Sequence, residues 1–463
     1  MLTYNIENKG NLPLYEYLYR CIKEDILNGK LKENEKLPSK RKLSSHLKIS
    51  IITVENAYEL LLSGGYIRAQ ERSGYFVNEG LVKTSKPKPI INEIKQNEEE
   101  LFADFSQNSI RAEFFPFSVW ARLMREVLLD KDKKLLSATE KNGVYELREA
   151  ISKHLYEFRG MDVSPENIII GAGSDYLYNM ILQFFGNDKI FAAENPGYNK
   201  IAQIYTAGGA KVEYVSLDNM GISVTELRKS EADIVHISPS HHYPTGIIMP
   251  IERRKELLLW ANEEENRYII EDEYDSEFRF SALPTEPLMS IDRNEKVIYM
   301  NTFSKTISPS IRISYMVLPD KLLKRYKEKL GFYSCSVPSF EQYTLSKFIN
   351  NGFYEQHLSR IKNLYRTNRN VMINAIENSK LKDIVSIHEQ DAGLHFLLKF
   401  NTQKKDAEIK ALCRELKIGI SYLGEYLSKA QKGYEHLFIL NYSAIDPQRI
   451  DEALNRIYEA ITK

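Results

Sequence analysis

The chain reads as a multidomain α/β protein: a small helical module with a hairpin, a linker, and a large domain built on a sheet covered on both faces. Three observations carry that reading. Its 463 residues exceed one ordinary core. The first 80 residues hold three helical stretches and two short strand-like runs. From about residue 101 onward, short Ile/Val-rich runs alternate with helical stretches.

The first helix is predicted over residues 13–27, from apolar positions Leu14, Tyr15, Leu18, Ile22 and Ile26, and Gly29 ends it. A second helix begins at the cap Ser39 and carries Lys40, Arg41 and Lys42 in its first turn. After Lys48-Ile49-Ser50, a third runs from Ser50 to Leu62 and stops at Gly64-Gly65. Tyr66-Ile67-Arg68 and Tyr75-Phe76-Val77 flank a turn as a small hairpin. Three helices and a wing make a winged helix-turn-helix over residues 1–80.

Residues 81–100, rich in Lys, Pro and Glu, read as a linker. In the large domain, 101–463, the runs at 168–170, 212–215, 234–237, 268–270 and 297–300 predict a largely parallel sheet. From about residue 335, long amphipathic helices with a few strands predict a small α+β subdomain.

Composition narrows the function classes. Lys plus Arg and Asp plus Glu are equal at 63 each, so a nucleic-acid site has to be a local patch. No apolar stretch approaches membrane-spanning length and no leader pattern opens the chain, so a cytoplasmic protein without membrane partners is expected. Three scattered cysteines suggest neither a disulfide framework nor a metal site.

The chemistry concentrates in the large domain. Lys305 follows the run Val297-Ile298-Tyr299-Met300, stands beside Ser304 and precedes Arg312 by seven positions. Its amine is placed to bond a pyridoxal aldehyde, with Ser304 and Arg312 holding a phosphate. Gly171-Ala172-Gly173-Ser174-Asp175 opens a helix after a strand, exposing backbone N–H groups to an anion. Tyr198 sits on the turn of Glu194-Asn195-Pro196-Gly197, where it could stack on a flat ring. The loop Ser238-Pro239-Ser240-His241-His242-Tyr243-Pro244-Thr245-Gly246 reads as a ligand loop. Asp272, after a buried-looking run, suits a protonated ring nitrogen, and Tyr274 a phenolic oxygen.

These pieces, in this chain order, resemble the fold type I pyridoxal-phosphate aminotransferases. Leu37-Pro38-Ser39-Lys40-Arg41-Lys42-Leu43 and Thr53-Val54-Glu55-Asn56-Ala57-Tyr58 resemble the GntR-type winged helix. Together with Asn195-Pro196-Gly197-Tyr198, the 239–246 loop, the 271–279 run and Ser304-Lys305, they resemble the MocR/GabR family of regulators. The resemblance implies a transcriptional regulator that binds double-stranded promoter DNA and pyridoxal 5'-phosphate, typically as a head-to-tail homodimer. It implies that Lys305 bonds the cofactor, Asp272 faces the pyridine nitrogen and Tyr274 the phenolic oxygen. It further implies that Tyr198 lines the ring, Gly173, Ser174, Ser304 and Arg312 bind phosphate, and His241 belongs to the cofactor site.

Two departures qualify this. Such aminotransferases hold a ligand carboxylate with an arginine in an Arg-Leu-Asn-Phe-Ser-like run, and here that position is Ile439. Lys200 is the substitute anchor expected from sequence. The expected effector is then an unusual amine, a dipeptide or other amino-acid-like ligand, or pyridoxal phosphate itself. The alternative is a working aminotransferase with an accessory N-terminal domain. In the head, GntR-like sequences carry arginine where Ile51 stands and often where Glu55 stands. Phosphate contacts are expected from Lys40, Arg41, Lys42 and Lys48, base reading from Ser50 to Asn56 including Thr53, and wing contacts from Arg68 and Arg72.

Overall fold

A computed structural model describes residues 2–10, 12–81, 101–106, 111–130, 133–280, 286–388 and 393–462. The chain divides into two compact units, Met1–Asn97 and Glu98–Lys463. The expected linker, apart from Leu81, lies outside the described residues.

The first unit packs α1 (Leu14–Leu27), α2 (Lys40–Leu47) and α3 (Ile51–Ser63) on a hairpin of β1 (Ile67–Gln70) and β2 (Gly74–Val77). Leu18, Ile22 and Ile26 of α1 meet Leu43 of α2 and Val54, Tyr58 and Leu61 of α3 in one core. Ser39 caps α2 through the Lys42 amide, and Ser50 caps α3 through the Thr53 amide. The Tyr58 hydroxyl donates to the Pro38 carbonyl at 2.8 Å, tying α3 to the start of α2.

The second unit begins with β3 (Ala103–Asp104), α4 (Phe117–Leu129) and α5 (Tyr145–Arg159). The sheet segments follow: β4 (Ile168–Gly171), α6 (Ser174–Phe185), β5 (Ile190–Asn195), α7 (Asn199–Ala207), β6 (Lys211–Asp218), β7 (Gly221–Ile222), α8 (Val224–Lys229) and β8 (Ile234–Ile237). Then come α9 (Ile251–Asn262), β9 (Tyr268–Glu273), α10 (Leu288–Ile291), β10 (Val297–Thr302), β11 (Ser314–Val317) and α11 (Asp320–Leu330). Among the described residues these strands form one sheet in the order β4-β11-β10-β9-β8-β5-β6-β7. It is mixed. The centre, from β10 to β6, is parallel, while β11 runs antiparallel to both its neighbours and β7 folds back on β6. The central strands are mostly apolar and buried on both faces, as the Ile/Val runs require. They also bury polar residues: Asn195 on β5, His236 on β8, Asn301 and Thr302 on β10, and Glu271, Asp272 and Glu273 on β9.

The chain closes with α12 (Ser339–Asn350), α13 (Phe353–Glu377), β12 (Val385–His388), β13 (His395–Phe400), α14 (Asp406–Glu415), β14 (Ile418–Gly419), β15 (Ser421–Tyr422), β16 (Leu437–Asn441) and α15 (Ile450–Thr462). The antiparallel sheet β12-β13-β16-β15 packs on α13, α14 and α15. The stretch expected of a small subdomain from about 335 is shared between two cores. Val337, Leu345, Phe348, Ile349 and Tyr354 pack with the large-sheet residues Ile170, Tyr299 and Tyr315. Ile361 and Tyr365, further along α13, pack into the small-sheet core. That core also takes Ala103 and Phe105, because β3 pairs with β14. The long helix α13 spans both cores, which its composition alone does not reveal. No helix among the described residues is long and apolar enough to cross a membrane.

Candidate functional site

The parallel strands end on one side of the sheet, and in open α/β sheets ligands bind outside those carboxyl ends. A cavity of ≈ 330 Å³ lies there. Ser174, Tyr198, Lys200, Asp272, Tyr274, Ser304, Lys305 and Arg312 all line it. Gly173 and His241 stand behind that lining. Tyr178, Ser238, Tyr243 and Thr302 also line it.

Each side chain arrives for a local reason. Gly173 adopts φ +92°, which favours glycine, as the chain leaves β4 for α6. A Cβ placed there would lie 2.6 Å from the Arg312 guanidinium. Arg312, itself at φ +52° after a short 3₁₀ turn, donates to the Ala172 carbonyl at 3.2 Å. Backbone N–H groups at the start of α6, Ser174, Ser304 and Arg312 thus converge as donors suited to an anion.

Lys305 follows the end of β10 and is half-buried at the cavity. Burial pushes its ammonium below the ordinary lysine range, against the pull of the Asp275 carboxylate. The next residue fixes its loop. The Thr306 carbonyl accepts from His357 Nε2 at 2.9 Å, and Tyr354 donates to the Thr306 hydroxyl at 3.2 Å. Burial lowers the His357 pKa to about 4, so a neutral ring with its proton on Nε2 makes that bond at neutral pH.

Asp272 is held from behind. The Tyr178 hydroxyl donates to its Oδ2 at 2.5 Å, and His236 Nε2 lies 3.4 Å from the same oxygen. His236 Nδ1 in turn meets the Tyr205 hydroxyl at 2.8 Å. Burial and the Asp272 charge raise the Tyr178 pKa well above the phenol range, so it remains a donor. His241 Nδ1 lies 2.8 Å from Asp275 Oδ2 and 3.0 Å from the Tyr274 hydroxyl. His241 therefore orients Tyr274 and Asp275 instead of reaching the cavity.

The carboxylate-anchor reading of Lys200 meets a competitor. Its ammonium pairs with Asp175 Oδ2 at 2.6 Å, and Arg312 approaches the same oxygen at 3.6 Å. Ile439 is fully buried and alternates away from Phe438 and Leu440 of the small core. It clusters with Leu397 and Leu423 against Tyr426, whose hydroxyl meets that of Tyr243 at 2.8 Å. His395, on the same sheet face, packs 5.3 Å from the Tyr243 ring. Burial and the neighbouring His241 hold the His395 pKa well below its usual value. Of this group, Tyr243 lines the cavity; Ile439, Tyr426 and His395 stand behind it.

Sequence reading missed Tyr178, His236 and Tyr205. Tyr178 stands one turn after Ser174 on α6, and His236 is the single polar residue of the Ile-Val-His-Ile strand. Both signals were present. Tyr426 carried none, because it arrives from an irregular segment of the small subdomain.

In the head, Arg41, Lys42, Lys48, Ser50, Arg68 and Arg72 are exposed, and Lys40 and Thr53 half-buried. Several have structural partners. Lys40 pairs with Glu55 at 2.6 Å. Arg68 donates to the Val77 carbonyl at 3.0 Å and to Asn34, bracing the wing. The Ser50 and Thr53 hydroxyls meet at 2.8 Å within the α3 cap.

Residues 14–77 match the family described as bacterial regulatory proteins, gntR family, and residues 103–457 match aminotransferase class I and II. The chain is 37% identical to the uncharacterized HTH-type transcriptional regulator YdeL of Bacillus subtilis (strain 168), over 84% of each chain. It is 28% identical to the probable rhizopine catabolism regulatory protein MocR of Rhizobium meliloti, over 98% of this chain and 95% of that one. An archaeal alanine:glyoxylate aminotransferase structure superposes with TM-score 0.70 at 23% identity, over 80% of this chain and 92% of the other, a likeness of fold. The chain therefore belongs to the HTH-type transcriptional regulators of the MocR/GabR type, in which a gntR-family winged helix is joined to a domain with the fold of the pyridoxal-phosphate-dependent aminotransferases.

Proposed function

We propose that this regulator binds pyridoxal 5'-phosphate in the Lys305 cavity. An amine-bearing ligand at the same cavity then sets how the winged helix grips promoter DNA. The observation that supports this most is the meeting of a half-buried lysine, a buried carboxylate and an arginine-glycine anion cradle in one cavity. The donor set fits the cofactor. The α6 N-terminus, Ser174, Ser304 and Arg312 would hold its phosphate, with Gly173 allowing the close approach. Asp272, fixed by Tyr178, would place its carboxyl group beside the ring nitrogen. Tyr198 would line the ring, and Tyr274 would offer a hydroxyl positioned by His241. When bound, the group supplies a carbonyl reactive toward primary amines and an electron-withdrawing ring. Lys305, with its amine desolvated, is the nucleophile matched to that carbonyl.

Behind Tyr243, the position where an arginine clamp is expected holds the buried Ile439, which offers no guanidinium for a carboxylate. Sustained transamination of ordinary amino acids is therefore not expected, and the cavity acts as a sensor. A head-to-tail homodimer would present two winged helices to paired half-sites.

The experiment uses full-length protein. Pyridoxal phosphate is added, the adduct is reduced with borohydride, and the modified peptide is located by mass. Duplex from the gene's own upstream region is titrated in parallel, with and without candidate amines. The expected result is label at Lys305, absent in Lys305→Ala, and DNA affinity that changes with amine. Protein that takes up no cofactor in excess overturns the proposal. Rapid turnover of common amino acids with a keto acid would favour the aminotransferase reading.

A further inference from the structure

The first two turns of α3 carry an unusual surface for a helix meeting DNA. Ile51 is 46% exposed and Ile52 is 67% exposed. Asn56, one turn beyond Ile52, is exposed on the same face. The helix Ile-Ile-Thr-Val-Glu-Asn-Ala-Tyr-Glu-Leu-Leu-Leu-Ser contains no lysine or arginine. It therefore supplies no side chain for the bidentate contact to guanine O6 and N7. Lys40, on α2, is occupied by Glu55. The hydroxyls of Ser50 and Thr53 are engaged with each other in the cap.

The groups left to read bases are two branched apolar side chains and one amide. Only one base edge in the major groove carries an apolar group, the thymine C5-methyl, and an asparagine amide matches adenine N6 and N7. Charge sets how far the contact extends. Arg41 and Lys42 stand exposed on α2 and Lys48 in the turn just before α3, whereas Glu59 stands exposed in the second half of α3. Phosphates are thus attracted to the N-terminal end and repelled beyond it.

Resting on the reading of the head as a DNA-binding module, we propose that α3 recognises an A·T-rich half-site, with Ile51 and Ile52 packed on thymine methyls and Asn56 paired to adenine. Specificity comes from methyl burial and one amide, and affinity from the cations of α2.

Selection from a randomised duplex library with full-length protein tests this. Recovered half-sites should carry consecutive A·T pairs. Replacing thymine by uracil in a recovered site removes only the methyl, and wild-type binding should weaken about fourfold per buried methyl. The salt dependence should stay unchanged, since no phosphate contact is lost. Ile52→Ala changes an exposed side chain, so its fold is retained. It should bind the thymine site less well and lose the uracil effect at the position Ile52 covers. Half-sites dominated by G·C pairs, or uracil duplexes bound as tightly as thymine ones, overturn the proposal. Salt-dependent binding that selects no sequence also overturns it, while the DNA-binding reading survives. Failure to bind any duplex removes both.

Discussion

In the head, the groups proposed to face phosphate are side chains standing in solvent: Arg41, Lys42 and Lys48, on or just after α2. In the large domain, the candidate phosphate cradle combines backbone with the side chains of Ser174, Ser304 and Arg312. The backbone supplies the α6 N-terminus and a glycine at φ +92°, and the arginine packs against that glycine. The first surface follows a long, variable backbone and tolerates adjustment. The second holds one small anion in one place, and its geometry is already paid for by folding. The comparison predicts that single changes in the cavity act as switches and single changes on the head act as dials.

Lys305→Ala should break the comparison most sharply. Reducible attachment of pyridoxal phosphate should vanish, while binding of bulk duplex by the head stays within twofold of wild type (about 0.4 kcal/mol). Mass spectrometry after borohydride and fluorescence anisotropy on a non-operator duplex read the two halves separately. Loss of duplex binding in this variant would show that the two surfaces are not independent.

The second expected effect concerns β9. Glu271 is pushed up to about 7 by burial, then by the neighbouring Glu273, from an ordinary value of 4.5. The native state therefore holds a proton between pH 4.5 and 7 that the unfolded chain has released. Stability from this group is present below pH 4.5 and is lost as pH rises toward 7. Glu271→Gln keeps an oxygen for the Leu288 amide, 2.7 Å away, and removes the titration. Urea unfolding across that window should show wild type falling relative to the variant, and parallel profiles would reject the assignment. The head, whose core is apolar, is expected to contribute no such slope.

Gly173→Ala comes third. The added Cβ would sit 2.6 Å from Arg312 Nη2, and φ +92° is strained for alanine. Strain of this kind is about 1–3 kcal/mol, so cofactor affinity should fall roughly 5- to 150-fold by equilibrium dialysis. The fold should survive, since Arg312 is half exposed and can move.

Much of this was legible because chemistry and backbone shared short runs. Lys305 with Ser304, and Asp272 with Tyr274, each sit within one run at a strand end, and the order of the runs carries the fold. The head was legible from caps: Ser39 and Ser50 stand where the helices begin. What stayed hidden depends on contacts between distant segments. Nothing local to Lys200 shows that Asp175 will claim it, or that Tyr426 will meet Tyr243. Nor does Arg68 look like a wing brace until Val77 and Asn34 come beside it. The antiparallel β11 was missed because a four-residue buried strand has the same pattern in either direction.

Arg41→Ala should have the smallest effect and tests the dial directly. Arg41 is exposed in the first turn of α2, where its loss leaves the Ser39 cap and the Leu43 contact intact. Exposed pairs to phosphate contribute mainly by releasing a counterion. The variant should therefore weaken binding by a similar factor on every duplex, specific or not. Its plot of log affinity against log salt should lose about one unit of slope. A change confined to one base pair of a selected site would instead make Arg41 a base reader. An unchanged slope would remove it from the interface and leave Lys42 and Lys48 as the cations that hold the backbone.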